Sequence, residues 1–338
     1  MTVTEDLPDT PPALSVAMSV YNGERFLAEA IESILAQSFT DFEFLILDDG
    51  SSDGTADIIR RYAGQDQRIR PIIRENRGLI VSLNQLLALA RAPIVARMDA
   101  DDNSRPSRFE TQLRFLAENP DHGVVGSWSQ DMDENGSLFL SKGREHPVTH
   151  EQFEHNMAHG GPLFCHPAVM YRRDLVLAQG GYHAAFRHCE DLDLWLRLAS
   201  VTRLANIPER LIQYRHYAGQ VSKRHATEQQ IGAAVAYEAY HQRAAGKDDP
   251  TASLDQLPPI DQLDALFGEQ GIGQRVREKV ARGILHSPVG LRDQGFDIML
   301  SHIREGGSHE GMWRTVLRLV RLGEPLRALR LTTVLATN

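Results

Sequence analysis

Three short apolar runs in the first third of the chain each stop abruptly at polar residues. Leu14–Val20 precedes Tyr21-Asn22-Gly23, Phe42–Leu47 precedes Asp48-Asp49-Gly50, and Ala92–Ala96 precedes a segment carrying Asp99, Asp101 and Asp102. Runs this short and this evenly apolar read as strands buried on both faces. Between them the period changes. Phe26, Leu27, Ala30, Ile31, Ile34 and Leu35 fall at helical spacing within Glu24–Gln37, and further helices are expected at about 56–62 and 82–90, with a short strand at 70–73. Strands alternating with helices predict an α/β fold, a Rossmann-like and mostly parallel sheet with helices on its faces. Ligands of such sheets bind at the carboxyl ends of the strands. Tyr21, Asp48, Asp49 and the 99–102 acids all fall there.

Three carboxylates within four residues repel one another unless a cation sits among them. Hard oxygen donors suit Mg²⁺ or Mn²⁺, which keep positions open for substrate phosphates. A solvated acidic turn capping a helix from Asp102, Asn103 or Ser104 is the plainer alternative. No Gly-x-Gly-x-x-Gly follows the first run and no Gly-Lys-Ser/Thr occurs anywhere, which argues against a dinucleotide fold and a phosphate-loop NTPase.

Composition narrows the field further. At 338 residues, with 42% apolar content, the chain can build one large core or two modest ones. A net charge of −9 disfavours nucleic acid as a partner. Residues 1–12 are Thr-, Pro- and Asp-rich, with neither a basic start nor an apolar core, and read as a disordered tail rather than a signal peptide. No apolar run reaches the length of a spanning helix. The two cysteines, Cys165 and Cys189, fit a reducing compartment. The chain reads as cytoplasmic, with peripheral contact at the inner face of the membrane as an added option.

Ser19-Val20-Tyr21-Asn22-Gly23, Ile34-Leu35-Ala36-Gln37-Ser38-Phe39, Leu47-Asp48-Asp49-Gly50-Ser51-Ser52-Asp53-Gly54-Thr55, Glu75-Asn76-Arg77-Gly78-Leu79 and Met98-Asp99-Ala100-Asp101-Asp102 occur in the order and spacing of the family 2 glycosyltransferases. The resemblance runs from about Leu14 to about Ser222. It implies a GT-A fold and an inverting enzyme that moves a hexosyl or hexosaminyl group from a nucleotide-diphosphate donor, UDP-linked by expectation. By position, Tyr21 would pack on the nucleobase, Asp49 would hold its N–H and Asp99 would touch the ribose, with Asn22 and Arg77 in the same nucleotide pocket. Asp101 would ligate a Mn²⁺ or Mg²⁺ ion bridging the diphosphate, with Asp102 sharing that ligation.

Further along, a helix is expected over 105–119, a strand over 124–128 and a hairpin turn at Asp133-Glu134-Asn135-Gly136. His146, His150, His155, His159 and His166 lack the spacing of a zinc site. His166-Pro167 resembles the family's acceptor-side segment. Leu192, Trp195, Leu196 and Ala199 form an apolar helical stripe, and Glu190 and Asp191 fall at its start, where acids favour a helix dipole. The pair also matches the family's Glu-Asp motif, in which the Asp is the catalytic base. An inverting transfer needs such a carboxylate to take the acceptor proton. Leu211–Ser222 resembles the segment closing the site; many relatives place a histidine where Tyr217 stands, and Arg215 or His216 would reach the diphosphate.

Past Glu228 the resemblance fades. A helix over 228–245, a linker over 246–259 and two or three more helices are expected. Trp313, Val316, Leu317, Val320 and Leu322 oppose Arg314, Arg318 and Arg321, a basic amphipathic helix of the kind that lies on anionic membranes or packs with its Arg face in water. The expected organisation is therefore a tail over 1–12, a GT-A domain over 13–225 (nucleotide-sugar half 13–120, acceptor half 121–225) and a helical region over 226–338. The expected function is metal-dependent transfer of a sugar to a hydroxyl of a glycan or lipid-linked acceptor in surface polysaccharide or lipopolysaccharide synthesis. A nucleotidyltransferase shares the sheet and the acidic loop but carries a Gly-rich basic loop where Tyr21-Asn22-Gly23-Glu24-Arg25 stands. A catalytically silent sugar-nucleotide-binding protein is the non-enzyme alternative.

Overall fold

A computed structural model describes residues 10–140, 145–220 and 225–337. Most of the tail expected over residues 1–12, and Val221-Ser222 of the site-closing segment, lie outside them. The chain divides into two compact units. The first holds the chain through Tyr182 together with Arg197–Tyr217; the second holds His183–Leu196 and everything from Ala218 onward. This division differs from a single boundary at 225/226, because the segment carrying Glu190 and Asp191 groups with the C-terminal helices.

The first unit opens with β1 (Leu14–Val20), α1 (Leu27–Leu35), β2 (Phe42–Asp49), α2 (Thr55–Ala63), β3 (Ile69–Arg74), α3 (Leu79–Leu89) and β4 (Ile94–Asp99). All seven residues of β1 lie inside the fold, and all eight of β2 are buried. Helix α1 turns Leu27, Ala30, Ile31 and Ile34 onto the sheet, the i, i+3, i+4, i+7 stripe that its sequence shows. It begins later than Glu24 because Phe26 and Leu27 both donate to the Gly23 carbonyl in a tight entry turn. β3 ends the strand order and so tolerates Pro71, which has no N–H to give.

Strands β5 (Asn103–Ser104), β6 (His122–Asp133), β7 (Leu138–Phe139), β8 (Met170–Arg172) and β9 (Arg203–His216) complete a nine-stranded sheet, with helices α4 (Arg108–Glu118), α5 (His150–His159) and α6 (Arg173–Ala178) between them. The order is β3-β2-β1-β4-β8-β6-β9-β5, with β7 beside β6. β1, β2, β3 and β4 pair in parallel, as expected. The other half corrects the mostly parallel expectation. β8 is antiparallel to both β4 and β6, β5 is antiparallel to β9, and β6 pairs with β9 in parallel. The reason is local. α4 is a full crossover and returns β6 in the sense of β4, leaving a gap that three-residue β8 fills from the opposite direction. Asp133–Gly136 forms the expected turn, Gly136 donating to the Asp133 carbonyl at 3.1 Å before β7.

The second unit contains α7 (Glu190–Leu198), whose last two residues count with the first unit, then α8 (Ala226–Ala244), α9 (Leu263–Phe267), α10 (Ile272–Ile284), α11 (Gly295–Arg304), α12 (Met312–Arg321) and α13 (Pro325–Thr337). Five described helices therefore follow residue 259, more than the two or three expected, since Gly268, Gly271, Gly306, Gly311 and Gly323 each take a positive φ that ends or begins one. The core of this unit is the meeting of Val276, Val280 and Ile284 with Phe296, Met299, Leu300 and Ile303, all fully buried.

Candidate active site

The loops leaving β1 and β2 are clasped to each other. Asn22 sits at φ 52, a left-handed conformation that Asn tolerates better than most residues. Its side-chain oxygen accepts from the Ser52 N–H at 2.8 Å, and its own N–H donates to Ser51 Oγ at 2.8 Å. Gly23 N–H donates to Thr55 Oγ1 and Glu24 N–H to Asp53, while Glu24 returns a carboxylate oxygen to Gly54 N–H. Burial works to raise the Asp53 pKa, but the Thr55 hydroxyl and these N–H donors outweigh it and hold it low. Beside this rim the Tyr21 ring stands 57% exposed, available for stacking.

Asp49 is buried beneath the rim. One oxygen accepts from Arg77 N–H and the other from Gly78 N–H, both at 2.9 Å, and Arg74 pairs with it at 2.5 Å. Asp49 thus orders the 74–78 loop, which brings Arg77 to the pocket by its main chain while its guanidinium, paired with Glu75, faces solvent. Gly50 packs under this loop at φ +78, and a Cβ there would lie 2.5 Å from Asn76 N.

The acidic cluster follows directly from β4, in register beside the end of β1 where Ser19 pairs with Asp99. Asp99, Asp101 and Asp102 each offer an oxygen within 4.8 Å of the others. Asp99 is ion-paired with buried Arg97. Asp101 is pushed up to about 6, first by burial and then by the charge of Asp99, with the Tyr217 hydroxyl opposing at 3.0 Å. Asp102, 1% exposed, rises well above the ordinary carboxylate range through burial and then its neighbours Asp101 and Asp99. One of its oxygens accepts from Arg215 N–H at 2.8 Å; the other is buried with no hydrogen-bond partner among the described residues. A buried orphan carboxylate oxygen inside a set of hard donors fits a divalent cation held by Asp101 and Asp102, with Asp99 alongside.

Arginines form the support for this loop. Arg215 is 1% exposed; its Nε donates to the Asp101 carbonyl at 2.8 Å, an Nη donates to Glu29 at 2.6 Å, and its plane lies over Phe26. Its guanidinium is therefore engaged by the chain itself. Arg108, fully buried, donates to the Arg97 and Val169 carbonyls and to Gln112, and desolvation pushes its pKa down to about 9. His216 lies 2.6 Å from a buried Asp131 oxygen. His166 lies 3.2 Å from the Tyr182 hydroxyl, and burial, reinforced by Arg97, drives its pKa well down, leaving a neutral imidazole. The supporting roles of Arg97, Arg108 and Tyr182 escape a motif reading. Arg97 alone gives a signal, a charged side chain inside the apolar run of β4.

In the second unit, Glu190, Asp191 and Asp193 occupy the first turn of α7, and Asp193 lies 3.2 Å from His183 Nδ1. Burial and then Asp191 raise the Cys189 thiol well above its ordinary value. His188 and His225 both approach one Glu228 oxygen, at 3.2 and 3.1 Å. Their rings stack with centroids 4.0 Å apart and planes 13° apart, so their in-plane lone pairs do not converge on one ion. The trio is a hydrogen-bonded clasp between the start of α7 and the start of α8.

Comparison with known proteins accords with this geometry. The model of glycosyl transferase family 2 matches residues 15–178. A Bacillus subtilis protein named as a glycosyltransferase, EpsE, is 38% identical over 68% of this chain and 82% of its own length. The O-antigen biosynthesis glycosyltransferase WbnJ of Escherichia coli is 32% identical over 60% and 79%. Among solved structures, Staphylococcus aureus TarS 1-349 with UDP superposes with a TM-score of 0.55 at 16% identity, covering 88% of this chain and 93% of that one. The mannosyltransferase PcManGT of Pyrobaculum calidifontis with GDP-Man and Mn²⁺ gives 0.52 at 16% identity, covering 96% and 87%. The sheet with its flanking helices is thus a GT-A fold, and the chain belongs to glycosyltransferase family 2.

Proposed function

We propose that this chain is a metal-dependent, inverting glycosyltransferase that moves a hexosyl or hexosaminyl group from a UDP-linked donor to a hydroxyl of a glycan or lipid-linked acceptor in surface-polysaccharide synthesis. The observation that carries the reading is the Asp101–Asp102 pair just past the end of β4, with a buried orphan oxygen on Asp102, and the exposed Tyr21 ring at the end of the neighbouring strand β1. Clustered carboxylates held above their ordinary pKa are stabilised by a cation and by the diphosphate that cation attracts. The curated relative from Escherichia coli works in O-antigen synthesis, and the solved TarS structures hold UDP and UDP-GlcNAc; both support the donor and pathway class.

In this reading Tyr21 stacks on the nucleobase, with Asn22, Asp49 and Arg77 shaping its rim, and Asp99 meets the ribose. Asp101 and Asp102 would hold a divalent ion, Mn²⁺ or Mg²⁺, which when bound would supply charge neutralisation for the departing diphosphate. Asp191, with Glu190 beside it, takes the proton from the acceptor hydroxyl as that oxygen attacks the anomeric carbon and the carbon–oxygen bond to the diphosphate breaks. Neutral His166 serves the acceptor side, His216 stands toward the diphosphate, and Arg215 acts by holding the acidic loop.

The test is nucleotide release from UDP-, GDP- and dTDP-sugars, with Mn²⁺ or with EDTA. The expected result is metal-dependent release from a UDP-sugar, abolished in Asp101→Ala and strongly reduced in Asp191→Asn. Absence of both release and calorimetric binding for every donor would overturn the reading. Tight donor binding with no turnover on any glycan acceptor would favour the silent sugar-nucleotide-binding protein.

A further inference from the structure

The exposed side of the last two helices is apolar where an ordinary surface helix is polar. On α12, Met312, Thr315 and Leu319 face inward and are buried. A second apolar strip beside them looks outward: Trp313 is 50% exposed, Leu317 64% and Val320 57%. On α13, Ala328, Leu331, Val334 and Leu335 are buried, yet Leu326 and Leu329 stand 76% and 64% exposed. At 100° per residue, Trp313, Leu317 and Val320 occupy one arc of α12, and Arg314 and Arg321 border it directly.

The arginines divide into two groups. Arg318 donates to the Leu285 carbonyl and Arg327 to the Leu291 and Asp293 carbonyls, anchoring the two helices to the unit. Arg330 pairs with Asp297 at the surface. Arg314 and Arg321 have no carboxylate partner among the described residues and extend beside the apolar strip. Residues 312–338 hold five arginines against one glutamate in a chain whose net charge is −9.

The geometry points to a membrane-docking face: α12 and α13 lie on an anionic phospholipid surface, with Trp313, Leu317, Val320, Leu326 and Leu329 entering the headgroup–acyl boundary and Arg314 and Arg321 meeting lipid phosphates. An apolar strip with a tryptophan at interfacial depth and cations along its border is complementary to such a surface. A second copy of this face is a poorer occupant, because an isologous pairing sets the same cation-bordered patch against itself. No helix of the described residues is long and apolar enough to cross a membrane, so this face would lie on the bilayer rather than span it. The inference rests on the helical unit alone and holds whatever the transfer chemistry is.

The experiment is co-sedimentation of the full chain with mixed phosphatidylglycerol–phosphatidylcholine vesicles and with phosphatidylcholine alone, beside the variants Leu317→Glu/Val320→Glu and Leu326→Glu/Leu329→Glu. These sites are exposed, so an unchanged circular dichroism spectrum and melting temperature verify folding. Binding to anionic vesicles is expected, weakened by salt and by omission of the anionic lipid, and lowered about tenfold or more in either double variant. Emission should shift to the blue on vesicle addition, and Trp313→Phe should abolish that shift, since Trp195 is buried and part-buried Trp128 is held in β6 with its Nε1 donating to the His146 carbonyl. Failure of the wild-type chain to bind, or binding unchanged in both double variants, would overturn the inference. So would a wild-type dimer in light scattering that Leu317→Glu/Val320→Glu dissociates, which would assign the face to self-association.

Discussion

The Tyr217 hydroxyl donates to a carboxylate oxygen of Asp101 at 3.0 Å. A phenol thus touches one acid of the 99–102 cluster. Burial and then the charge of Asp101 raise the phenol's own pKa well above its ordinary value, so it remains a neutral donor. It partly offsets what desolvation and Asp99 impose on Asp101 and lowers the proton affinity of that carboxylate.

Mn²⁺ affinity should follow the ionisation of Asp101. Burial and then the charge of Asp99 push the metal-free carboxyl up to about 6, and only its ionised form ligates. Affinity measured by calorimetry is therefore expected to fall by at least about tenfold per unit below pH 6, with Asp102 adding to the slope because its pKa is raised as well. In Tyr217→Phe the ionised form loses a hydrogen bond, and the midpoint should move upward by about one unit. An affinity that stays flat from pH 5 to 8 would remove Asp101 from the ligand set.

Removing the charge of Asp102 should stabilise the empty protein and abolish its use of metal. A carboxyl whose folded pKa is raised binds its proton more tightly when folded; its penalty is absent below the unfolded value and develops as pH rises through the folded one. Asp102 is raised by burial, then by Asp101 and Asp99. In Asp102→Asn the amide oxygen can still accept from Arg215 N–H, while the amide N–H₂ replaces the orphan oxygen. At pH 8 without metal, denaturant unfolding should show a gain of about 1–2 kcal/mol. Mn²⁺ should raise the melting temperature of the wild type and not of the variant.

The parallel half of the sheet was legible because β1, β2 and β4 are buried on both faces and each stops at a polar turn, so a run of apolar residues and its end coincide with a strand and its loop. That Tyr21, Asp49 and the 99–102 acids fall at the ends of these strands was legible for the same reason. The antiparallel half was not. Three-residue β8 has no periodicity to read, and its direction follows from which gap α4 leaves in the sheet. Arg108 was hidden as one basic residue in an amphipathic helix, although it reaches into the core to bond the Arg97 and Val169 carbonyls. Such roles depend on contacts between residues distant in sequence.

Gly50 should not tolerate a side chain. It combines φ +78 with a Cβ position 2.5 Å from Asn76 N, and that neighbour is main chain tied down through Asp49. The left-handed conformation alone costs a non-glycine residue about 1–2 kcal/mol, and the clash adds to it. Gly50→Ala is expected to lose about 2–4 kcal/mol in denaturant unfolding and to weaken donor binding, because the Arg77 and Gly78 N–H groups move off Asp49. A neutral substitution would show that the 75–78 loop relaxes freely.

Arg215 distinguishes holding a site from contacting its substrate. Its guanidinium is 1% exposed and shared among the Asp101 carbonyl, Glu29 and the Phe26 face, while its main-chain N–H supports Asp102. A diphosphate-binding arginine would be a more exposed cation whose loss raises donor KM and leaves stability alone. Arg215→Met instead leaves the Asp101 carbonyl without its Nε donor and half-exposed Glu29 without its partner, a loss of about 1–3 kcal/mol. Arg215→Lys restores the charge but cannot bridge the same acceptors at once. Both variants should therefore melt earlier, Met more than Lys, and Mn²⁺ affinity should fall along with stability because the acidic loop loses its brace. If Arg215→Lys kept the wild-type melting temperature and raised only donor KM, the arginine would belong to the substrate after all.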